Sequence, residues 1–112
     1  MNQKLVLRKM EFMHHLGDMA KLFEEKNRAY GDDFFSGNYS ALERWMSIRR
    51  KVARLQSHYE KGNDITLPDE TIEDTWRDLA IYCVMELMLL AREKDAKGGT
   101  GNEQERDSGK GN

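Results

Sequence analysis

The sequence predicts an all-α protein: an antiparallel bundle of three long helices over residues 1–94, followed by a disordered polar tail over residues 95–112. Three observations favour this fold class. Apolar residues recur at three- and four-residue spacings in three segments. Helix start and stop signals separate those segments. No segment alternates with a period of two, as a half-buried strand does.

The first predicted helix covers residues 4–30 and ends at Gly31. Gly17 lies inside its apolar pattern and costs about 1 kcal/mol relative to alanine, so a break into two shorter helices stays open. The loop that follows, residues 31–39, carries three aromatic residues, which predicts that it packs against another part of the chain. The apolar stripe of the helix consists of Leu5, Phe12, Met13, Leu16, Met19, Ala20 and Phe23.

The second predicted helix begins at Ser40, which forms a capping-box pattern with Glu43, and runs to about Lys61, before the stop signal in residues 62–64. Its apolar stripe consists of Ala41, Trp45, Ile48, Val52, Leu55 and Tyr59.

The third predicted helix covers residues 69–94, because Pro68 fits the first turn of a helix. One of its faces carries Ile72, Trp76, Leu79, Cys83, Leu87 and Leu90.

Composition separates the tail from the body. The tail holds five of the nine glycines and only one apolar residue, Ala96, whereas 42 of the other 94 residues are apolar, as in an ordinary globular domain. The net charge of −2 provides no global attraction to nucleic acid or to a membrane surface. Cys83 is the single cysteine, and the sequence has no long apolar segment, so we expect a protein of the cytoplasm.

An acidic stripe is the main candidate for chemistry. Glu70, Asp74 and Asp78 lie at i, i+4 and i+8, on one side of the third predicted helix. A solvated acidic face is one interpretation. The same side, however, continues with apolar residues, which predicts that another helix or a second subunit covers it. These apolar residues are Ile81, Met85, Met88 and Leu89. Clustered carboxylates repel unless a cation neutralises them, and Mg²⁺ is the usual cation in such sites.

The first and second helices add candidate ligands. Glu24 flanks the apolar face of the first helix and can add a metal ligand, although a simple ion pair with Arg28 explains it equally. Residues 41–61 carry a local charge of +4, from six basic and two acidic residues, and residues 69–80 carry −4, from five acidic residues and one basic residue. A basic helix beside an acidic one can bind a metal-bound phosphate, and it can equally form salt bridges between the two helices.

Three stretches together resemble the nucleotide-modification-associated domain family of phages and bacteria. Residues 26–31 (KNRAYG) resemble its K-N-x-D-Y-G signature, residues 50–55 (RKVARL) its R-K-x-x-R-[LI] helix, and residues 70–82 (ETIEDTWRDLAIY) its E-[ST]-x-x-D-x-x-x-D-[LM]-x-N-Y helix. The resemblance extends over about residues 10–94. The chain departs from the family pattern at Ala29 and Ile81, where aspartate and asparagine are usual.

This family is similar to the all-α nucleoside triphosphate pyrophosphatases of the MazG type. The resemblance implies a homo-oligomer that binds a nucleotide and Mg²⁺ and hydrolyses a nucleoside triphosphate to a monophosphate and pyrophosphate. The E-x-x-E pair of active pyrophosphatases is missing, because Glu24 is followed at i+3 by Asn27. A non-catalytic module that binds a partner protein or sequesters a nucleotide is therefore the alternative hypothesis.

The expected site residues follow from the charge pattern of the helices and from the family resemblance. Metal ligands are Glu24, Glu70, Asp74 and Asp78, of which the last three are also the catalytic candidates. Nucleotide or phosphate contacts are expected from Lys26, Asn27, Tyr30, Arg50, Lys51 and Arg54.

Overall fold

The computed structural model describes residues 2–30 and 32–100, apart from the side chains of Tyr30 and of residues 98–100. It consists of three helices, α1 (Gln3–Tyr30), α2 (Ala41–Glu60) and α3 (Ile72–Thr100). Within these residues there is no strand, and the predicted all-α, three-helix fold is confirmed. The chain divides after Ile81: α1, α2 and the start of α3 form one compact unit, and α3 from Tyr82 onward belongs to a second.

Helix α1 is continuous through Gly17, so the alternative of two shorter helices is wrong. Apart from its own helix, none of the described residues places an atom within 4 Å of the position that a Cβ would take at Gly17, so among them the glycine serves no close approach. In the first half of α1 the predicted apolar stripe is exposed to solvent, whereas Met19 and Phe23 are half-buried. The exposed members are Leu5, Phe12, Met13 and Leu16.

The capping box at the start of α2 is confirmed. The Glu43 backbone N–H donates to Ser40 Oγ at 3.1 Å, and the Ser40 backbone N–H donates to Glu43 Oε1 at 2.8 Å. Ser40 lowers the pKa of Glu43, chiefly through the hydrogen bond from its backbone N–H and also through its side chain, because both favour the charged carboxylate. At the other end, Gly62 follows the C-cap residue Lys61 with φ +71°, a left-handed conformation that suits glycine.

Helix α3 begins later than predicted. Pro68 does not open the helix but lies in a turn closed by two backbone hydrogen bonds between Leu67 and Glu70, of 2.8 and 3.2 Å. A second capping box starts the helix instead: the Asp74 N–H donates to Thr71 Oγ1 at 3.2 Å, and the Thr71 N–H donates to Asp74 Oδ2 at 2.9 Å. Glu70 therefore precedes the helix, and the predicted stripe of three acids on one helix is broken.

Helix α2 is rotated relative to the orientation that its apolar stripe predicts. Ile48 and Leu55 face the interior, Leu55 with only 6% of its surface exposed. The other large members of the stripe, Trp45, Val52 and Tyr59, are exposed. The reason is electrostatic: Lys51 and Arg54 on the inner side of α2 bind acidic groups near the start of α3, and this contact turns half of the stripe outward.

The same reversal occurs on α3. Trp76, Cys83, Leu87 and Leu90 of the predicted apolar face are exposed. Next to the acidic side Thr75 is fully buried at 0% exposure, and on that side Met85 is only 9% exposed, but Asp74 is 43% exposed and Met88 is 37% exposed. The expectation that this side is covered is therefore confirmed only in part. The helix continues to Thr100, six residues beyond the predicted end at Lys94, and residues 101–112 of the predicted tail lie outside the described residues.

The aromatic loop packs as predicted. Phe35 meets Phe23 of α1 edge to face, with ring centroids 6.1 Å apart, and the Arg44 guanidinium of α2 lies over the Phe34 ring at 5.8 Å. The loop thus fixes the connection between α1 and α2. No helix among the described residues is long and apolar enough to cross a membrane.

Candidate functional site

Five charged residues from four segments meet inside the first unit, and we refer to them as the charged cluster. They are Lys26 of α1, Lys51 and Arg54 of α2, Glu70 of the turn before α3, and Asp78 of α3. All five were predicted as site residues from the sequence. The cluster lies on the inner side of α2, where the helix rotation places it.

Asp78 connects α1 with α2. Its Oδ1 accepts from Lys26 Nζ at 2.7 Å, and its Oδ2 lies 3.1 Å from Lys51 Nζ. Only 16% of the Asp78 side chain and 19% of the Lys51 side chain are exposed, whereas Lys26 is 47% exposed. A half-buried carboxylate between two ammonium groups is favourable because the surroundings screen the charges less than bulk water does.

Glu70 completes the cluster from the other side. Its Oε2 lies 3.4 Å from Lys51 Nζ and 3.4 Å from Arg54 Nε, and it accepts a hydrogen bond of 3.1 Å from the buried Thr75 hydroxyl. Arg54 also donates to the Ile65 carbonyl at 3.0 Å. The Arg54 Nε lies within ion-pair distance of Glu70 but is not aligned for a hydrogen bond, and among the described residues this buried nitrogen has no hydrogen-bond partner.

The charges of the cluster do not cancel. Three cations and two carboxylates give these five residues a formal charge of +1, and the nearby Asp74 carboxylate also interacts with Lys26, the most exposed of the cations. Burial lowers the pKa of Lys51, but the hydrogen bond and charge of Asp78, together with Glu70, outweigh this effect and hold its pKa above the ordinary value. Lys51 is therefore charged at neutral pH.

Two predicted metal ligands lie elsewhere. Glu24 pairs with Arg28 at 2.8 Å, with 68% of the Glu24 side chain exposed, which is the alternative explanation given for it above. Asp74 is committed to the capping box and to an ion pair with Arg77 at 3.2 Å. The hydrogen bonds from Thr71 hold the pKa of Asp74 below its usual range. Neither carboxylate joins Glu70 and Asp78 in the charged cluster.

Three of the predicted nucleotide contacts lie outside the charged cluster, and the structure describes the side chains of two of them. Asn27 is half-buried and directly follows Lys26. Arg50 is exposed and donates to Ser47 Oγ at 3.0 Å, on the outer flank of α2. Tyr30 is the last residue of α1, and its side chain lies outside the described residues.

Sequence reasoning missed two partners of the cluster. Thr75 holds Glu70 through its hydroxyl, and the Ile65 carbonyl holds Arg54. A threonine in the first turn of a helix is too common to signal such a role, and no side-chain pattern identifies a backbone acceptor. The pair Lys26–Asp78 spans 52 positions, which local spacing cannot predict.

The cluster does not contain a ready metal centre. Glu70 and Asp78 offer the oxygen donors that Mg²⁺ takes, but Lys51 binds both of them. Among the described residues there is no group of three or more histidine, cysteine, aspartate or glutamate side chains placed to hold a metal ion. Magnesium therefore stays a prediction. Comparisons with protein-family models, curated proteins and solved structures find no match for this chain.

Proposed function

We propose that the chain binds a nucleotide through the charged cluster, with phosphate oxygens held by Lys26, Lys51 and Arg54. The observation that carries the proposal is the convergence of three cations on two half-buried carboxylates, which leaves an excess positive charge. Guanidinium and ammonium groups form their strongest hydrogen bonds with phosphate and carboxylate. The 47% exposure of Lys26 gives a ligand access from solvent.

The base and sugar would be contacted from the end of α1. Asn27 is half-buried beside Lys26, and an amide side chain can both donate to and accept from a base edge. Tyr30 and Arg50 stay candidates from the family resemblance. A nucleotide ligand and a reduced cysteine are both typical of the cytoplasm. We therefore propose that the protein acts in the cytoplasm of a bacterial or phage-infected cell.

We further propose that Mg²⁺ enters the cluster only together with a phosphoanhydride. A magnesium ion on Glu70 or Asp78 must displace Lys51, which costs the ion pairs at 3.1 and 3.4 Å. A phosphate group that arrives with the ion would in turn take the displaced ammonium group. Metal and nucleotide are therefore expected to bind cooperatively, each more weakly alone than in the presence of the other.

The catalytic form of the proposal is hydrolysis of a nucleoside triphosphate to a monophosphate and pyrophosphate, as the family resemblance implies. A non-catalytic, nucleotide-sequestering module is the second candidate. The observation that favours it is the occupation of both cluster carboxylates by lysine and arginine, because protein cations rather than a metal then balance their charge.

Calorimetry with a panel of canonical and modified nucleoside triphosphates, with Mg²⁺ or with a chelator, tests the proposal. Tighter nucleotide binding in Mg²⁺ supports the coupled exchange, and pyrophosphate release in a parallel assay supports catalysis. Equal binding in the chelator supports sequestration. No binding of any nucleotide would overturn the proposed function.

A matched pair of substitutions assigns the binding to the cluster. Lys51→Met removes the most buried ammonium group, and Lys9→Met removes one on the exposed first half of α1. A charge-assisted hydrogen bond contributes about 1.5–3 kcal/mol, so we expect a 10- to 100-fold weaker nucleotide affinity for Lys51→Met and no change for Lys9→Met. Equal losses in both variants would mean that the nucleotide binds by general charge. Circular dichroism checks that both variants stay folded.

A further inference from the structure

Glu70 is the more weakly held of the two carboxylates in the charged cluster. Asp78 lies on α3 and is bound by Lys26 and Lys51 at 2.7 and 3.1 Å, with 16% of its side chain exposed. Glu70 lies before α3 and is 28% exposed, and its ion-pair distances to Lys51 and Arg54 are both 3.4 Å. Well-aligned hydrogen bonds from ammonium and guanidinium groups to a carboxylate measure about 2.7–2.9 Å. Glu70 is therefore the carboxylate that an incoming anion can displace.

Three donors converge on one oxygen atom of Glu70. Its Oε2 accepts from the Thr75 hydroxyl at 3.1 Å, and the same atom forms the contacts with Lys51 Nζ and Arg54 Nε. A carboxylate oxygen has about two lone-pair sites, so it cannot satisfy three donors with good geometry. The Arg54 Nε shows the result, because this buried nitrogen has no hydrogen-bond partner among the described residues. The position thus offers more hydrogen-bond donors than Glu70 can use.

A terminal phosphate group suits these donors better than a carboxylate does. It has three acceptor oxygens and a charge of about −1.5 to −2 at neutral pH, which exceeds the charge of the Glu70 carboxylate. Each of the three donors, including the Arg54 Nε, would then have an oxygen of its own. A phosphodiester has fewer free oxygens and a smaller charge. The donor set therefore favours a phosphate at the end of a ligand over a phosphate that links two groups.

The turn before α3 allows the Glu70 side chain to leave while its backbone stays in place. Two backbone hydrogen bonds between Leu67 and Glu70, of 2.8 and 3.2 Å, fix residue 70 in the turn. Helix α3 begins only at Ile72. A glutamate side chain can rotate between staggered conformations, and the exposed part of Glu70 lies open to solvent. Release of the carboxylate therefore needs a side-chain rotation and no unfolding of the helix.

We propose that Glu70 occupies the position of the ligand's terminal phosphate, and that the ligand binds by exchanging this phosphate for the Glu70 carboxylate. The inference rests on the proposed function and deepens it in two ways. It names the group that the ligand replaces, and it selects nucleotides with a free terminal phosphate over phosphodiesters. Glu70 lowers the apparent affinity of the site, because only the fraction of molecules from which its carboxylate has moved away can bind.

Calorimetry of the full chain with inorganic pyrophosphate in Mg²⁺-free buffer tests the exchange, because this probe has terminal phosphates and needs no contact to a base. Glu70→Gln removes the competing charge and should tighten binding by about 10- to 100-fold, the range of one charge-assisted hydrogen bond. Glu70→Asp keeps the charge but draws the carboxylate back from Lys51 and Arg54, and should tighten binding by about tenfold. Glu73→Gln, at an exposed acid in the first turn of α3, is the matched control and should leave the affinity unchanged.

The two Glu70 variants together separate occupation of the site from general charge. A gain for Glu70→Gln without one for Glu70→Asp would mean that total charge controls binding, and it would overturn the exchange. Unchanged or weaker binding in both variants, or no pyrophosphate binding in any chain, would also overturn it. If nucleotides bind the native chain in these cases, the proposed function stands. Gains in both variants support the exchange even if no nucleotide binds the native chain and the proposed function fails. Circular dichroism checks that each variant stays folded.

Competition between two phosphate esters tests the preference for a terminal phosphate. Methyl phosphate should displace pyrophosphate from Glu70→Gln at a concentration about tenfold lower than dimethyl phosphate needs, because the monoester has one more free oxygen for a charge-assisted hydrogen bond. Equal competition by the two esters would overturn this preference.

Discussion

The two sides of α2 differ in a way that its sequence does not predict. The inner side packs basic residues against acids, with the ammonium group of Lys51 between two carboxylates. The outer side exposes Trp45 and Tyr59, the largest apolar residues of the helix. In a simple amphipathic helix the apolar side would face inward. The reversal indicates that the inner side is organised around its charged cluster, while the outer side leaves its large aromatic side chains exposed.

The largest expected effect is on the free energy of unfolding, and it distinguishes the inner side of α2 from the outer side. Leu55→Ala on the inner side removes a buried side chain and should lower the free energy of unfolding by about 2–5 kcal/mol at any protein concentration. Leu42→Ala on the outer side removes a side chain that is 67% exposed and should lower it by less than about 0.5 kcal/mol. Urea denaturation of both variants measures the two losses. Equal losses for the two variants would remove the distinction.

The helices could be predicted from the sequence because their signals are local. Ser40 and Glu43 are three residues apart, and their reciprocal bonds form wherever the chain enters a helix. The start of α3 was mispredicted because two local signals compete: Pro68 suits a first helical turn, but Thr71 and Asp74 form the capping box that the structure uses. Local sequence rules do not say which of these two signals determines the start of the helix.

The members of the charged cluster could also be named from the sequence, whereas their arrangement could not. Charge sorting between the second and third helices identified Lys51, Arg54 and Asp78. Periodicity, however, shows only which residues share a side of a helix and leaves open what covers that side. The rotation of α2 depends on contacts such as Lys51–Asp78, which connect distant parts of the chain.

A second prediction compares a buried ion pair with an exposed one. Asp78→Ala leaves Lys51 and Lys26 without a shared partner and should lower the free energy of unfolding by about 2 kcal/mol. Glu24→Ala removes the exposed partner of Arg28 and should cost no more than about 0.5 kcal/mol. Urea denaturation of both variants in low and high salt measures the two losses of stability. A similar cost for both variants would show that the cluster is no stronger than a surface pair.

The smallest expected effect concerns the capping box of α3 and its dependence on pH. The pKa of Asp74 is lowered from 3.8 by its hydrogen bonds with Thr71, so its contribution to stability is present above that value and is lost as the pH falls through the lowered pKa. Thr71→Ala should cost about 1 kcal/mol at pH 7. In Asp74→Asn the loss of stability between neutral pH and acid should be smaller than in the native protein.

Glu73→Gln is the matched control for this measurement, because Glu73 carries the same charge in the same turn but lies outside the capping box. It benefits from the helix dipole as Asp74 does, so the comparison isolates the capping bonds from the dipole. Urea unfolding of the native chain, Asp74→Asn and Glu73→Gln at neutral and acid pH measures how much stability each chain loses in acid. If Glu73→Gln flattens the acid dependence as much as Asp74→Asn does, the stabilisation belongs to the helix dipole, and the role of the capping bonds in acid lability would be excluded.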